Sequence, residues 1–267
     1  MWRGRLVREA CGRDARTTLL KKKKLTKLYL SQEPVDGVFR LDREHKKRLV
    51  KVMRLKSGDS LQVFTPGKRW DCRVQQITPE EIHLEVVHEF PVPAPALHLI
   101  LGQAIPKGDR FEWLIQKATE IGVAEIFPLI TERTIVKPDN VATKIQRWNE
   151  IAEQAAGQSE NPFPTIIHPP QSLPSFLDRP VDSGLKLLLH ERKDSSSLRR
   201  ILADYDKNSI TFVVGPEGGW TDGETERLLN SGYQLFHLGQ RILRAETSGL
   251  VLATLLQYEL GDFRNAQ

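Results

Sequence analysis

The chain's 267 residues suffice for two domains and a sizeable core, and its 39% hydrophobic and 27% charged residues are those of a water-soluble fold. No apolar run approaches the length of a membrane-spanning helix, so no membrane partner is expected and a cytoplasmic protein is. The net charge of +5 is uneven. Residues 1–56 hold 18 Lys and Arg against 6 Asp and Glu, a balance of +12, which leaves −7 for the rest. Such asymmetry predicts a nucleic-acid-facing N-terminal part. Cys11 and Cys72 match no metal or redox spacing, and the 7 histidines form no HxxxH or HxxE pattern, so no metal is expected and a reducing compartment is.

Residues 1–27 form a basic extension that includes the run Lys21–Lys24. It lacks the apolar stretch of a secretory signal. A basic arm, an organelle transit peptide or an overlong start all fit, although Glu9 and Asp14 count against the transit peptide. From Leu28 the pattern turns to strands, at 27–30 and 38–41. Asp42 can cap a helix over 43–55, with Leu49, Val52 and Met53 on one face and Arg43, Lys47, Lys51 and Arg54 on the other. Four cations on one face with no compensating acid on it suit RNA phosphates, though a merely solvated face would read the same way. Strands follow at 60–64, 69–77 and 81–88, the last alternating through Ile82, Leu84 and Val86 until Val87 breaks the pattern. Several short strands around one helix predict a small β-barrel over 28–90. The Pro-rich stretch 91–96 is a stiff linker.

The remainder, 97–267, alternates strands and helices, which predicts a mostly parallel α/β sheet. Strands are expected at 97–101, 125–130, 185–189, 210–214 and 234–238. Helices are expected after Arg110 as far as Gly122, over 140–156, over 195–202 and over 245–260, with loops at 161–164 and 168–170. Ligands of such sheets bind beyond the carboxyl ends of the strands. Three of those ends, near His190, Gly215 and Gly239, should converge. Two run into unusual loops. GPEGGWTDGE, 215–224, breaks the strand, and its glycines let the backbone approach a ligand, with Thr221 or Asp222 capping the next helix. LGQRILRAETSG, 238–249, crowds Arg241, Arg244, Glu246 and Thr247 beside a strand end, where charge is costly unless it serves a site or pairs internally. No GxGxxG with a downstream acid and no GxxxxGK[ST] occurs, which argues against a Rossmann dinucleotide site and excludes a P-loop.

These two loops together resemble the signature pair of the SPOUT methyltransferases, and most narrowly the ribosomal RNA small subunit methyltransferase E family. The resemblance runs from about Leu28 to the C-terminus. It implies a PUA-like RNA-binding barrel, then an α/β domain with a trefoil knot. It also implies a homodimer and S-adenosylmethionine-dependent methylation of N3 of a uridine in 16S rRNA, free or within the 30S subunit. The knot's loops hold the cofactor mainly through backbone groups. The implied cofactor residues are Leu188, Leu189, His190 and Glu191 after one strand, and Gly215, Pro216, Gly218 and Gly219 after the next. Leu238, Gly239, Arg241, Ile242, Leu243 and Thr247 complete the set.

Uracil N3 must lose a proton before it attacks, so the site needs a base or a cation that stabilises the anion. Arg244 suits the anion and Glu246 suits positioning or the base, with Glu217 or Arg110 assisting. An Arg244–Glu246 pair that only shapes the loop is the plainer alternative. One departure stands out: where family members often read Ala-Ala-Glu-Gln-Ser-x-Arg, this chain has Gly157 and Asn161 in place of the carboxylate and the guanidinium. It leaves room for a different RNA target, such as a tRNA ribose 2′-oxygen, or for a non-catalytic assembly factor.

Overall fold

The structure is a computed structural model that describes residues 25–134, 140–179, 184–190, 197–203 and 205–265. Most of the basic extension, Cys11 and Glu191 lie outside the described residues. The fold combines a curled, mostly antiparallel sheet with a parallel α/β sheet.

The first sheet holds β1 (Thr26–Tyr29), β2 (Val38–Leu41), β3 (Ser60–Thr65), β4 (Lys68–Ile77) and β5 (Ile82–Pro91), in the order β1-β3-β4-β5-β2. β1 runs parallel to β3, and the other pairs are antiparallel. The edge strands β1 and β2 do not pair, so this is a curled sheet where a barrel was expected. Curling brings Leu28 of β1 and Phe39 and Leu41 of β2 into one core with Leu61, Val63, Trp70 and Ile82. Gly67, at φ +72°, makes the two-residue turn between β3 and β4. The break at Val87 is a bulge: Asp71 pairs with His88 and Cys72 with Val86, leaving Val87 without a partner in the register. Burial pushes the Cys72 thiol up to about 12, so it packs as an apolar residue.

The helix predicted over 43–55 is shorter and changes type. Asp42 caps α1 (Arg43–Lys46) through the amides of Glu44 and His45, and the chain then widens into a π-helical stretch, Lys47–Val52. The wider repeat lets Leu49 and Leu55 both reach the core and turns Val52 out to 73% exposure. Arg54 stands beyond the helix in left-handed backbone, at φ +58°. Arg43, Lys47, Lys51 and Arg54 are all exposed, and none has an ion-pair partner among the described residues.

The second sheet is parallel throughout, in the order β12-β10-β11-β6-β7-β8, with β9 beside β7. Its strands are β6 (His98–Ala104), β7 (Glu125–Ile130), β8 (Ile166–Ile167), β9 (Gln171–Ser172), β10 (Leu185–Leu189), β11 (Ser209–Val214) and β12 (Gln234–Phe236). One face packs α2 (Arg110–Ile121), α3 (Val141–Ser159), α5 (Leu198–Leu202) and α7 (Ala245–Leu260). The other packs α4 (Leu173–Leu177) and α6 (Asp222–Asn230). β11 is buried at every position, as its apolar run predicts. The loops expected at 161–164 and 168–170 are loops, and β8, β9 and α4 fall between and after them, where no element was expected. Gly122, at φ +91°, ends α2, and its carbonyl accepts from Gln257 Nε2 of α7 at 3.2 Å. α7 is covered over most of its length, and Leu255 and Tyr258 stand out as exposed apolar residues on it.

The two sheets meet where α3 lies on β1. Tyr29, Phe64 and Ala156 form a small cluster there, and Lys27 pairs with Glu160.

Candidate active site

β10, β11 and β12 are neighbours and run the same way, so their carboxyl ends open onto one side of the sheet. The loops that follow them enclose a cleft of about 580 Å³. The volume falls in the roughly 300–1,000 Å³ range of small-molecule sites.

Leu189 and His190 line the cleft after β10. The His190 amide donates to Phe236 O at 3.0 Å, which ties two of the strand ends together. Leu188 does not reach the cleft: the strand's alternation turns it into the core beside Val213 and Leu228.

After β11 comes the first glycine loop, 215–219. Gly219, at φ +70°, closes a turn in which its amide donates to Pro216 O at 2.8 Å. Gly215 is packed on the indole of Trp220, where a Cβ would sit 3.0 Å from Nε1. That Nε1 is buried with no hydrogen-bond partner among the described residues. Thr221 begins α6 with a capping box to Glu224. Both oxygens of this buried carboxylate are in use: Oε2 accepts from the Thr221 amide at 3.0 Å, and Oε1 from the Glu132 amide at 2.9 Å. Glu224 thereby ties the loop after β7 to the first glycine loop.

The second loop contributes Leu238, Gly239, Arg241, Ile242, Leu243 and Arg244 to the cleft, as well as His237 and Gln240. Gly239 holds φ +94°, and its amide donates to His237 Nδ1 at 3.0 Å. Arg244 is the N-cap of α7, and its carbonyl accepts from the Ser248 amide and hydroxyl at 2.8 and 3.0 Å. Its guanidinium has no ion-pair partner among the described residues.

Glu246 and Thr247 lie behind the cleft wall. Glu246 does not pair with Arg244. It is 5% exposed, with Oε1 at 3.7 Å from Arg110 Nε and Oε2 without a hydrogen-bond partner among the described residues. Arg110 reaches Glu217 as well, at 3.4 Å, and the Lys107 amide donates to the same Glu217 oxygen at 3.3 Å. Arg110 thus links a buried carboxylate to one in the cleft wall.

Sequence reasoning missed Arg133, Trp220, His237, Gln240 and Ser248 as lining residues. Arg133 had a signal, since it follows the carboxyl end of a parallel strand as the chosen loops do. No group of three His, Cys, Asp or Glu among the described residues is arranged to hold a metal ion.

A family model described as an RNA methyltransferase domain matches residues 93–257, and one described as an RNA methyltransferase PUA domain matches 49–87. The chain is 30% identical over 258 residues to the ribosomal RNA small subunit methyltransferase E of Bacillus subtilis, covering 91% of this chain and 97% of that one. The crystal structure of a ribosomal RNA small subunit methyltransferase E from Neisseria gonorrhoeae, bound to S-adenosyl methionine, superposes with a TM-score of 0.80 at 30% identity, covering 90% of this chain and 99% of that one. A Legionella pneumophila methyltransferase solved with SAM gives a TM-score of 0.82 at 30% identity over the same shares. This chain belongs to the ribosomal RNA small subunit methyltransferase E family.

Proposed function

We propose that the protein methylates N3 of a uridine in small-subunit rRNA with S-adenosylmethionine. The observation that carries this reading is the cleft itself. Two glycine loops at neighbouring strand ends expose backbone to it, and arginines and a carboxylate surround it. The residues fit the cofactor. At Gly219 and Gly239 a Cβ would meet nothing within 4 Å, so the backbone there is open to a close ligand. The buried, unpartnered Trp220 Nε1 is a donor of the kind such a ligand uses.

When bound, S-adenosylmethionine supplies the methyl electrophile. The protein's own task is to bring N3 into line and to manage its proton. Arg244 stabilises the uracil anion, whose charge spreads over O2 and O4. Glu217, the carboxylate in the cleft wall, takes the N3 proton. Glu246 holds Arg110, and Arg110 holds Glu217 in place.

The curled sheet over 28–90 acts as the PUA-like RNA-binding unit, with Arg43, Lys47, Lys51 and Arg54 on phosphates. The linker at 91–96 joins it to the catalytic unit at 97–267. Three further features extend the family reading: a trefoil knot through the cleft loops, a homodimer and a cytoplasmic site of action. Leu255 and Tyr258, exposed on α7, suit a dimer contact. Gly157 and Asn161 lend no weight to a non-catalytic factor, because both do structural work elsewhere. Gly157 packs on β1, and Asn161 Nδ2 donates to Thr119 O at 3.2 Å.

The test combines purified protein, labelled S-adenosylmethionine and 30S subunits from cells lacking the modification. Label recovered as 3-methyluridine in the small-subunit rRNA is the expected result. Cofactor binding with no transfer to those subunits would overturn the assignment.

A further inference from the structure

We propose that Arg133, in the loop after β7, contacts the RNA phosphate backbone at the cleft and is built into a rigid mount for that purpose. The inference rests on the reading of the protein as an RNA methyltransferase.

Charge is the first reason. Arg133, Arg241 and Arg244 all line the cleft, and none has an ion-pair partner among the described residues. Among the described residues the one lining carboxylate, Glu217, is already engaged by Arg110 and the Lys107 amide. The cofactor does not call for three guanidiniums. It carries a sulfonium, an ammonium and one carboxylate, a net charge of about +1, so it offers one anionic group to one arginine. With Arg244 assigned to the uracil and Arg241 available to the carboxylate, Arg133 needs another anion. The substrate supplies it in the phosphates beside the target base.

The mount is the second reason. Arg133 Nη1 donates to Gly218 O at 2.7 Å, and its stem lies against Gly218, where a Cβ would meet Arg133 Cδ at 3.3 Å. That contact uses one of five guanidinium donors and leaves the others for a ligand. The loop beneath is braced on both sides. Thr131 and Thr134 are buried and bond to each other through hydroxyls at 2.8 Å, and the Thr131 amide donates to Thr134 Oγ1 at 2.9 Å. On the other side the buried Glu224 holds the Glu132 amide. A guanidinium fixed in this way loses little freedom on meeting a phosphate, and its planar fork suits two oxygens at once.

The experiment measures equilibrium binding of unmodified 30S subunits across a salt series, and of S-adenosylhomocysteine by calorimetry. The variants are R133M, which keeps the stem on Gly218, and R133K, which keeps the charge. For R133M we expect roughly tenfold weaker subunit binding, a salt slope lower by about one, and a cofactor Kd within about twofold of wild type. R133K should recover the slope. Unchanged subunit binding, or a loss of cofactor affinity as large as the loss for subunits, would overturn the proposal and leave Arg133 only shaping the glycine loop. Should R133M melt early, R133Q repeats the measurement with a donor left for Gly218 O. Binding and turnover separate the two levels. If wild type binds subunits without methylating them, the enzymatic reading fails while the salt slope still decides the role of Arg133. If wild type methylates and R133M keeps its slope, the inference fails alone.

Discussion

The backbone nitrogen of Tyr29 lies 2.9 Å from where a Cβ on Gly157 would stand, with the Leu28 carbonyl carbon at 3.3 Å. α3 therefore rests on β1 backbone to backbone where Tyr29, Phe64 and Ala156 form a small apolar cluster. Gly157 is buried within a helix, where alanine would ordinarily stabilise by about 1 kcal/mol. Here the clash is with main chain, which cannot swing aside. Gly157→Ala is expected to destabilise the protein by about 1–3 kcal/mol, and Gly157→Glu by more. Thermal melting checks the sign. A melting point raised by Gly157→Ala would mean that β1 yields easily and that this contact does not set the packing.

At the amino end of the parallel sheet, Glu125 accepts from His168 Nε2 at 2.6 Å and His98 Nε2 at 2.9 Å, and His168 stacks on Phe127 with 3.7 Å between ring centres. The bond from His168, opposed by burial and helped by His98, holds the Glu125 carboxyl down at about 2 from an ordinary 4.5. A depressed carboxylate contributes stability that is present above its unfolded value and is lost as pH falls toward its folded value. Wild type is therefore expected to lose stability between pH 4.5 and 2 through this group. Glu125→Gln should flatten that part of the acid limb in urea titrations run at successive pH values. An acid limb unchanged in Glu125→Gln would show that the pair does not hold in solution.

Helix α7 and strands β7 and β10 appear at the boundaries expected from their patterns, because long periodic or continuous apolar runs leave little choice. The break at Val87 was visible too, and its cause is a bulge. β8 and β9, of two residues each, were not legible: what makes them strands is their register against β7, which sequence does not carry. The π-helical stretch escaped for a related reason. Faces drawn at 3.6 residues per turn put Val52 with Leu49, whereas the wider repeat turns Val52 to solvent. In the cleft, the two loops were legible from their glycines and charges. The pairing of Glu246 was not. Arg244 and Glu246 are two apart at a helix start, a spacing that does not bring side chains together, and the partner came from α2, 136 residues earlier in the chain.

Arg110 joins Glu217 in the cleft wall to Glu246 behind it, and its removal strands Glu246 and leaves Glu217 on the Lys107 amide alone. Arg110→Met keeps the length of the stem and deletes the charge. The buried Glu246 is then uncompensated, at a cost of about 1–2 kcal/mol, less than a fully buried pair because Arg110 is 43% exposed. Glu217 loses its side-chain anchor, so kcat should fall roughly tenfold to a hundredfold. S-adenosylhomocysteine affinity should change little, since Arg110 is not in the cleft wall. Calorimetry and single-turnover methylation separate the two effects. A cofactor affinity that falls as far as kcat would assign Arg110 to building the cleft and not to holding the carboxylate.

Arg244 gives the sharpest separation between chemistry and architecture. Its backbone is structural, because the carbonyl caps α7 by accepting from Ser248. Its side chain is exposed at the cleft and has no ion-pair partner among the described residues, so deleting the guanidinium breaks no ion pair there. Arg244→Ala should therefore melt within about 0.5 kcal/mol of wild type, as surface substitutions do. A guanidinium that meets charge only as it develops on O2 and O4 acts in the transition state, and losing such a donor lowers kcat by about 10²–10³. Cofactor affinity should stay near wild type, and Arg244→Lys should restore part of the rate, because it keeps the charge without the planar fork. The pH profile adds a second reading. If Arg244 favours the N3 anion, the variant's single-turnover rate should rise further with pH than wild type's, toward the intrinsic ionisation of uridine. Equal losses of cofactor affinity and of rate, with an unshifted profile, would make Arg244 a wall of the cofactor site and move the stabilising charge to Arg241.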